Sequence, residues 1–186
     1  ADGGDDIIYT DGSHSTYIFG GAGDDKLVVD VEHPDGSKHA SIDLSSLNPW
    51  GAEGLIARDS HDTNDHFFGI EHLVLDWAAY KKLGSNAFSF NSLESGIKVE
   101  FQPDHKHSVL LKSVDDASQA LKVSNVNHFD FSQDEGENSV VLELGGDVDD
   151  YAIAFDGQTL DVEWLRSGTK SFKGIDKVVY QSNGLG

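Results

Sequence analysis

The sequence predicts an all-β fold: an antiparallel β-sandwich with a short β-roll of stacked repeats at its N-terminal edge and one or two short helices. Two observations carry this. Most apolar segments are short, rich in Val, Ile and Phe, and bounded by Gly, Asn, Asp or Ser, the pattern of strands joined by turns. Residues 20–28, Gly-Gly-Ala-Gly-Asp-Asp-Lys-Leu-Val, match every fixed position of the nonapeptide G-G-x-G-x-D-x-U-x, in which U is a large aliphatic residue.

The nonapeptide has a definite chemistry. Its glycines let the chain turn tightly and bring carbonyl oxygens inward, Asp25 adds a carboxylate, and Leu27 plugs the core from the strand that follows. An all-oxygen cage of this kind suits calcium, a hard cation. Residues 1–9 can be written in the same register, with Gly4, Asp5, Asp6 and Ile8 falling where Gly23, Asp24, Asp25 and Leu27 fall. Residues 11–19 form a third copy if Thr10 is an insertion, and Ile8, Ile18 and Leu27 then align. In a parallel roll two such repeats make one turn, so loops two repeats apart stack and share an ion. Asp6, Gly23 and Asp25 are therefore expected to hold one calcium, and the loop after Asp11, which lacks the aspartate, is expected to be metal-free. Three repeats are about the minimum for a core of their own, so the roll is expected to be a remnant over residues 1–31 packed on a sandwich formed by the remainder.

Further along, strands are expected at 26–31, 40–44, 71–75, 97–101, 108–112, 120–123, 128–131, 140–144, 151–155, 160–164 and 177–180. Alternation in Ile97-Lys98-Val99-Glu100-Phe101 and in residues 140–144 indicates sheets with one buried face. Residues 76–84 read as a short helix, with Asp76 as N-cap and Gly84 just past its end, and residues 113–121 could hold another turn. Three segments, beginning at Gly69, Asn125 and Gly174, share the order turn residue, aliphatic, acid or amide, basic or His, then strand. Each reads as a chain reversal whose aliphatic residue enters the core, which makes His72 and His128 structural.

Composition sets the function classes. Asp and Glu number 33 against 13 Lys and Arg, a formal net charge of −20, and 24 of the acids are Asp, the residue of turns and compact calcium loops. Such a charge excludes nucleic acid and anionic membrane surfaces as partners and predicts a fold stabilised by several bound calcium ions. With no cysteine, disulfides and thiolate metal sites are unavailable, so an extracellular domain would need another staple. No apolar run is long enough to span a membrane. The length suits a single domain over 1–186. With no methionine, the chain reads as a piece of a longer protein, with export signals expected outside it.

Two further aspartate loops are candidate chelators: Asp59, Asp62 and Asp65 with Asn64, and Asp147, Asp149 and Asp150 after the Gly145-Gly146 pair. The acidic stretch 132–137 reads as a solvated hairpin turn, and His105 and His107 as part of a polar hairpin. H-E-x-x-H, G-x-S-x-G and G-x-x-x-x-G-K-[ST] are all missing, so no enzyme activity is expected.

The nonapeptide at 20–28, its half-match at 1–9, the acidity and the segment Phe172-Lys-Gly-Ile-Asp-Lys-Val-Val-Tyr180 resemble the ligand-binding region of large repeats-in-toxin (RTX) adhesins of Gram-negative bacteria. In size and cysteine-free β composition the whole chain is most similar to the peptide-binding domain of such adhesins. The resemblance implies a calcium-dependent sandwich whose pocket captures the C-terminal end of a peptide or surface protein on host or neighbouring cells. It also implies type I secretion, display on the bacterial cell surface and a role in biofilms. No short motif carries over pocket residues one by one. A protein this acidic should repel a carboxylate, so a calcium with open positions on one of the aspartate loops would be the recognition group. Two other readings use the same loops: a calcium-dependent carbohydrate-binding module, with Trp50, Trp77 or Trp164 as stacking platform, and a structural spacer.

Overall fold

The computed structural model describes residues 3–11, 14–30, 40–58, 63–76, 88–145, 150–166 and 168–182. Seventeen strands lie within them: β1 (Ile7–Thr10), β2 (Thr16–Phe19), β3 (Lys26–Val29), β4 (Ala40–Asn48), β5 (Gly51–Arg58), β6 (Thr63–Ile70), β7 (His72–Leu75) and β8 (Phe88–Ser92). The second half holds β9 (Ile97–Phe101), β10 (Ser108–Ser113), β11 (Ala120–Ser124), β12 (His128–Asp130), β13 (Ser139–Leu144), β14 (Tyr151–Phe155), β15 (Thr159–Trp164), β16 (Gly168–Lys173) and β17 (Lys177–Ser182). They form two facing sheets, one ordered β1-β3-β7-β11-β10-β9-β13-β17 and the other β14-β15-β16-β12-β8-β4-β5-β6-β2. The all-β, two-sheet architecture is the one the sequence predicts.

The pairing differs from the antiparallel sandwich expected. Nine strand pairings are parallel and six are antiparallel. Parallel neighbours need a crossover, and here the crossover is a passage through the opposite sheet. The roll's winding is therefore not confined to residues 1–31. It continues as β3, β7 and β11 lie parallel in one sheet and β4, β8, β12 and β16 in the other, until β17 closes on β13. The antiparallel pairs belong to three meanders, β4–β5–β6, β9–β10–β11 and β14–β15–β16, each leaving the roll and returning to it. Alternating hydrophobicity marks a half-buried strand in either arrangement, so it did not separate them.

The chain reversals are where they were expected. Gly69, Asn125 and Gly174 all take left-handed backbone, with φ of 66°, 66° and 79°, and the aliphatic residue after each, Ile70, Val126 or Ile175, is buried. Asparagine is the non-glycine residue that best tolerates this region. Among the described residues the one helical element is a 3-10 turn at Pro103–His105. The helix expected at 76–84 lies, after Asp76, outside the described residues. Residues 114–119 instead link β10 to β11, and there Asp116 Oδ1 accepts from both the amide and the hydroxyl of Ser118.

Inward-facing side chains stack along the roll. Phe90, Phe129 and Phe172 occupy matching positions on β8, β12 and β16, with ring centroids 5.5 Å and 5.1 Å apart. Lys170 also points inward from β16. Its Nζ donates to the Val126 carbonyl at 2.6 Å and lies over the Phe101 and Phe129 rings at 5.7 Å and 5.8 Å. Burial lowers its pKa to about 7. The unfolded chain then holds a proton between pH 7 and the ordinary lysine value that the folded chain has released, so stability from this group rises with pH across that window. Urea midpoints measured across it should climb more steeply in the wild type than in Lys170→Met.

Candidate metal centre

Where the chain passes from the second sheet to the first, its corners stack, and the nonapeptide forms one of them. Corner 3–6 leads into β1, corner 20–25 into β3 and corner 69–71 into β7. Backbone bonds tie the first to the second, Gly4 N to Ala22 O at 2.7 Å and Lys26 N to Asp6 O at 2.9 Å. Asp24 N also donates to Asp5 Oδ1 at 2.9 Å. The approach is close enough that a Cβ on Gly23, whose φ is 141°, would strike the Gly4 carbonyl. The second corner is tied to the third through the Asp25 carbonyl, which accepts from Glu71 N at 3.1 Å and His72 N at 3.0 Å.

Asp25 is the centre of this stack and is completely buried. Its Oδ1 accepts the backbone N–H of Asp6 at 2.9 Å, so the structure brings the predicted pair Asp6 and Asp25 together. Its Oδ2 is shielded from solvent and has no hydrogen-bond partner among the described residues. A buried carboxylate oxygen left without a donor costs roughly 1–3 kcal/mol or more, and a bound cation removes that cost. The residues at this corner fit calcium: one buried carboxylate oxygen without a partner, with backbone carbonyls at hand. No three His, Asp or Glu side chains converge as a metal cluster among the described residues, so an ion here would draw on carbonyl oxygens, as calcium readily does.

Glu71 belongs to the same site and was not nominated from sequence. Register places Gly69-Ile70-Glu71-His72-Leu73 beside Gly23-Asp24-Asp25-Lys26-Leu27, so Glu71 stands where the nonapeptide has its aspartate. Its Oε2 accepts Asp25 N at 2.8 Å. Burial raises its pKa, and the charges of Asp25 and Asp24 push the same way. The signal was present in the repeat beginning at Gly69, had its acid been aligned with Asp25. The neighbouring His72 is held to a pKa of about 4, by burial first and then by Lys122 and Lys26, and its Nε2 lies 2.9 Å from Ser124 Oγ.

The other nominated residues are placed differently. Asp65 is not in a loop but near the start of β6, fully buried. Its Oδ2 accepts from Thr10 Oγ1 at 2.6 Å and its Oδ1 from Thr16 N at 3.1 Å, which ties the turn between β1 and β2 to the roll. Asp59 and Asp62 lie outside the described residues, as do Asp147 and Asp149. Asp150 is exposed just before β14, and its carbonyl accepts Leu165 N at 3.3 Å. The stretch 132–137 is not wholly solvated. Burial pushes the Asp134 pKa up to about 7, with Glu94 and Asp130 adding to the rise and the Ser92 hydroxyl partly offsetting it.

A cleft of about 690 Å³ opens at β1 and β2, the end strands of the two sheets among the described residues, lined among others by Asp6, Tyr9, Asp11, Tyr17, Asp30 and Asp76. On the outer face beside it Tyr17 stacks on His66 and Phe19 on Phe68, with centroids 5.0 Å and 5.1 Å apart. Among the described residues no helix is long and apolar enough to cross a membrane. No protein-family model and no curated protein matches the chain.

Two outcomes follow from these placements. Asp65→Ala should cost about 1–3 kcal/mol in urea denaturation, because it removes the two hydrogen bonds that a buried carboxylate accepts from Thr10 Oγ1 and Thr16 N. The loss should be the same with calcium as with chelator, since both carboxylate oxygens are already engaged. For Asp134 the folded pKa lies above the unfolded one, so its contribution is complete at low pH and is lost as pH rises through about 7. Asp134→Asn should therefore gain in melting temperature relative to the wild type at pH 8 but not at pH 4.

Proposed function

We propose that this chain is a calcium-dependent ligand-binding domain of a large secreted bacterial adhesin of the RTX class, displayed outside the cell and without enzymatic activity. The observation that carries the reading is Asp25. The aspartate at the fixed acidic position of the nonapeptide is also completely buried, with an oxygen that no donor in the described residues satisfies. A glycine-aspartate hairpin turn with no other role would leave such an oxygen in solvent. The continuous parallel winding supports the same reading, because stacked corners are the setting in which the nonapeptide works.

The proposed ligand is the C-terminal end of a peptide or surface protein. At a net charge of −20 the domain repels anions at long range, so capture of a carboxylate needs a local positive centre. Bound calcium with open coordination positions supplies that centre. The cleft beside β1 and β2 offers tyrosine side chains and two sheet edges to an extended peptide, whose backbone could pair with either edge. Asp65 is engaged by Thr10 and Thr16, which leaves the loop before β6 poorer in ligands than its composition suggested. One observation favours a glycan as second reading: Trp50 is 77% exposed and can stack on a sugar ring, whereas Trp164 is partly buried against the core, with its Nε1 donating to the Pro103 carbonyl at 3.3 Å.

Melting with calcium and with chelator tests the ion. At one hundred times its dissociation constant a single calcium adds about 2.7 kcal/mol, a rise of roughly 5–10 °C for a domain of this size. No rise would refute the reading. Calorimetry with a panel of peptides carrying free or amidated C-termini tests the ligand. Free termini should bind in calcium and amidated ones at least tenfold more weakly; equal binding by both would remove carboxylate capture, and binding only on a glycan array would favour the sugar.

A further inference from the structure

The structure contains a second corner built like the one at Asp25, and the two differ by one atom. At the far end of the roll, corner 131–138 leads into β13 and corner 174–176 into β17. Asn138 Oδ1 accepts the N–H of Ile97 at 3.0 Å, as Asp25 Oδ1 accepts that of Asp6. Asn138 N donates to Asp176 Oδ2 at 2.8 Å, as Asp25 N donates to Glu71 Oε2. Both residues sit one position before a strand, at the same place in the stack, and both are buried. Asp176 follows Gly174 by two residues, as Glu71 follows Gly69.

The remaining side-chain atom is where they part. Asn138 Nδ2 donates to the carbonyls of Phe131 at 3.1 Å and Gly174 at 3.2 Å, so the amide closes its corner with no outside help. The equivalent atom of Asp25 is Oδ2, which as a carboxylate oxygen cannot donate and has no partner among the described residues. It points toward Gly20 and the next corner: a Cβ on Gly20 would come within 2.7 Å of it and would collide with the carbonyl of Gly69, the counterpart of Gly174. The carbonyl oxygens of Trp50 and Gly21 lie 3.1 Å and 3.5 Å from where a Gly69 Cβ would stand. Two acceptors thus stand where the other corner has a donor and an acceptor, and the Glu71 carboxylate adjoins them.

We propose that a calcium ion sits between Asp25 Oδ2 and the Gly69 carbonyl, beside Glu71, bridging these oxygens as the Asn138 amide bridges its corner without metal. The seat lies between the second and third corners, one step inward from the pair Asp6 and Asp25. It rests on the calcium reading above and says which residues hold the ion. Asp6 then contributes only its backbone N–H to Asp25, and Glu71 contributes the second negative charge.

The test is an exchange of the two side chains, read by thermal melting in chelator and in calcium. In chelator Asp25→Asn should melt above the wild type, because its new Nδ2 can donate to the Gly69 carbonyl as Asn138 does to Gly174. Its calcium-induced rise should be less than half that of the wild type. Asn138→Asp should melt below the wild type in chelator and recover part of the loss in calcium. A calcium rise in Asp25→Asn equal to the wild type's would overturn the seat while leaving calcium binding elsewhere intact. Failure of Asp25→Asn to fold even in calcium would also overturn it, since an amide should satisfy this corner. If the wild type shows no calcium rise at all, the calcium reading falls and the seat falls with it.

Discussion

Stacking of the corners in register is the constraint on which the rest of this structure depends. Parallel strands on successive coils can pair only if the chain returns to the same height after each passage through the opposite sheet. The corners set that height. Backbone N–H groups of one coil are received by a side chain of the next, Asp6 by Asp25, Asp25 by Glu71, Ile97 by Asn138 and Asn138 by Asp176. An acid or amide at each of these corners thus fixes the neighbouring coil by a bond that would otherwise need a β-ladder, and before Asp25, Glu71 and Asp176 a positive-φ glycine two positions earlier turns the chain to present it. The phenylalanine ladder of β8, β12 and β16 follows from the same register, since side chains can stack ring on ring only when coils repeat without slippage.

The meanders obey a parity rule that this constraint imposes. A coil crosses each sheet once, and a chain that crossed it twice would leave from the wrong end and miss the next corner. Three crossings restore the direction. Each of the three excursions accordingly has three strands, of which the first and last are parallel and the middle one runs back between them. The hairpins widen both sheets while the parallel winding continues. This explains how strands as distant as β2 and β6 come to lie side by side and parallel, with Asp65 reaching back to Thr10 and Thr16 at the joint.

Much of this was legible in the chain, and the losses have physical causes. Strands with plain alternation, such as β9 and β13, were readable because one face is apolar throughout. β5, β6, β8 and β16 were not: β5 holds two glycines, β6 begins with Thr-Asn-Asp, β8 is Phe-Ser-Phe-Asn-Ser, and β16 places a lysine in the core. Parallel pairing left no mark in the pattern, because register between distant segments is decided by corners and not by local periodicity. Asp25 was found because the nonapeptide is specific. Glu71 was missed because its repeat was read for the glycine and the aliphatic residue, which shape the chain, and not for the acid between them.

That acid position decides how each corner closes. Along the stack it is Asp6, Asp25, Glu71, Asn138 and Asp176, so backbone geometry asks only for an acceptor facing the preceding coil. The second polar atom is left to choose. At position 138 it is an amide nitrogen, which neutral carbonyls can satisfy, and the corner is complete in the protein alone. At position 25 it is a buried carboxylate oxygen near the Gly69 carbonyl, which can only repel it, with Glu71 adding to the negative field. Such an arrangement destabilises the coil unless a cation joins it, and the cost is large because water is excluded. On the calcium reading proposed above, one roll holds a corner that closes by itself and one whose stability would be set from outside by the concentration of an ion. The Asp25 corner leads into β3, beside the edge strand β1, and both strands line the cleft, so an ion at that corner would act on the wall of the same cleft.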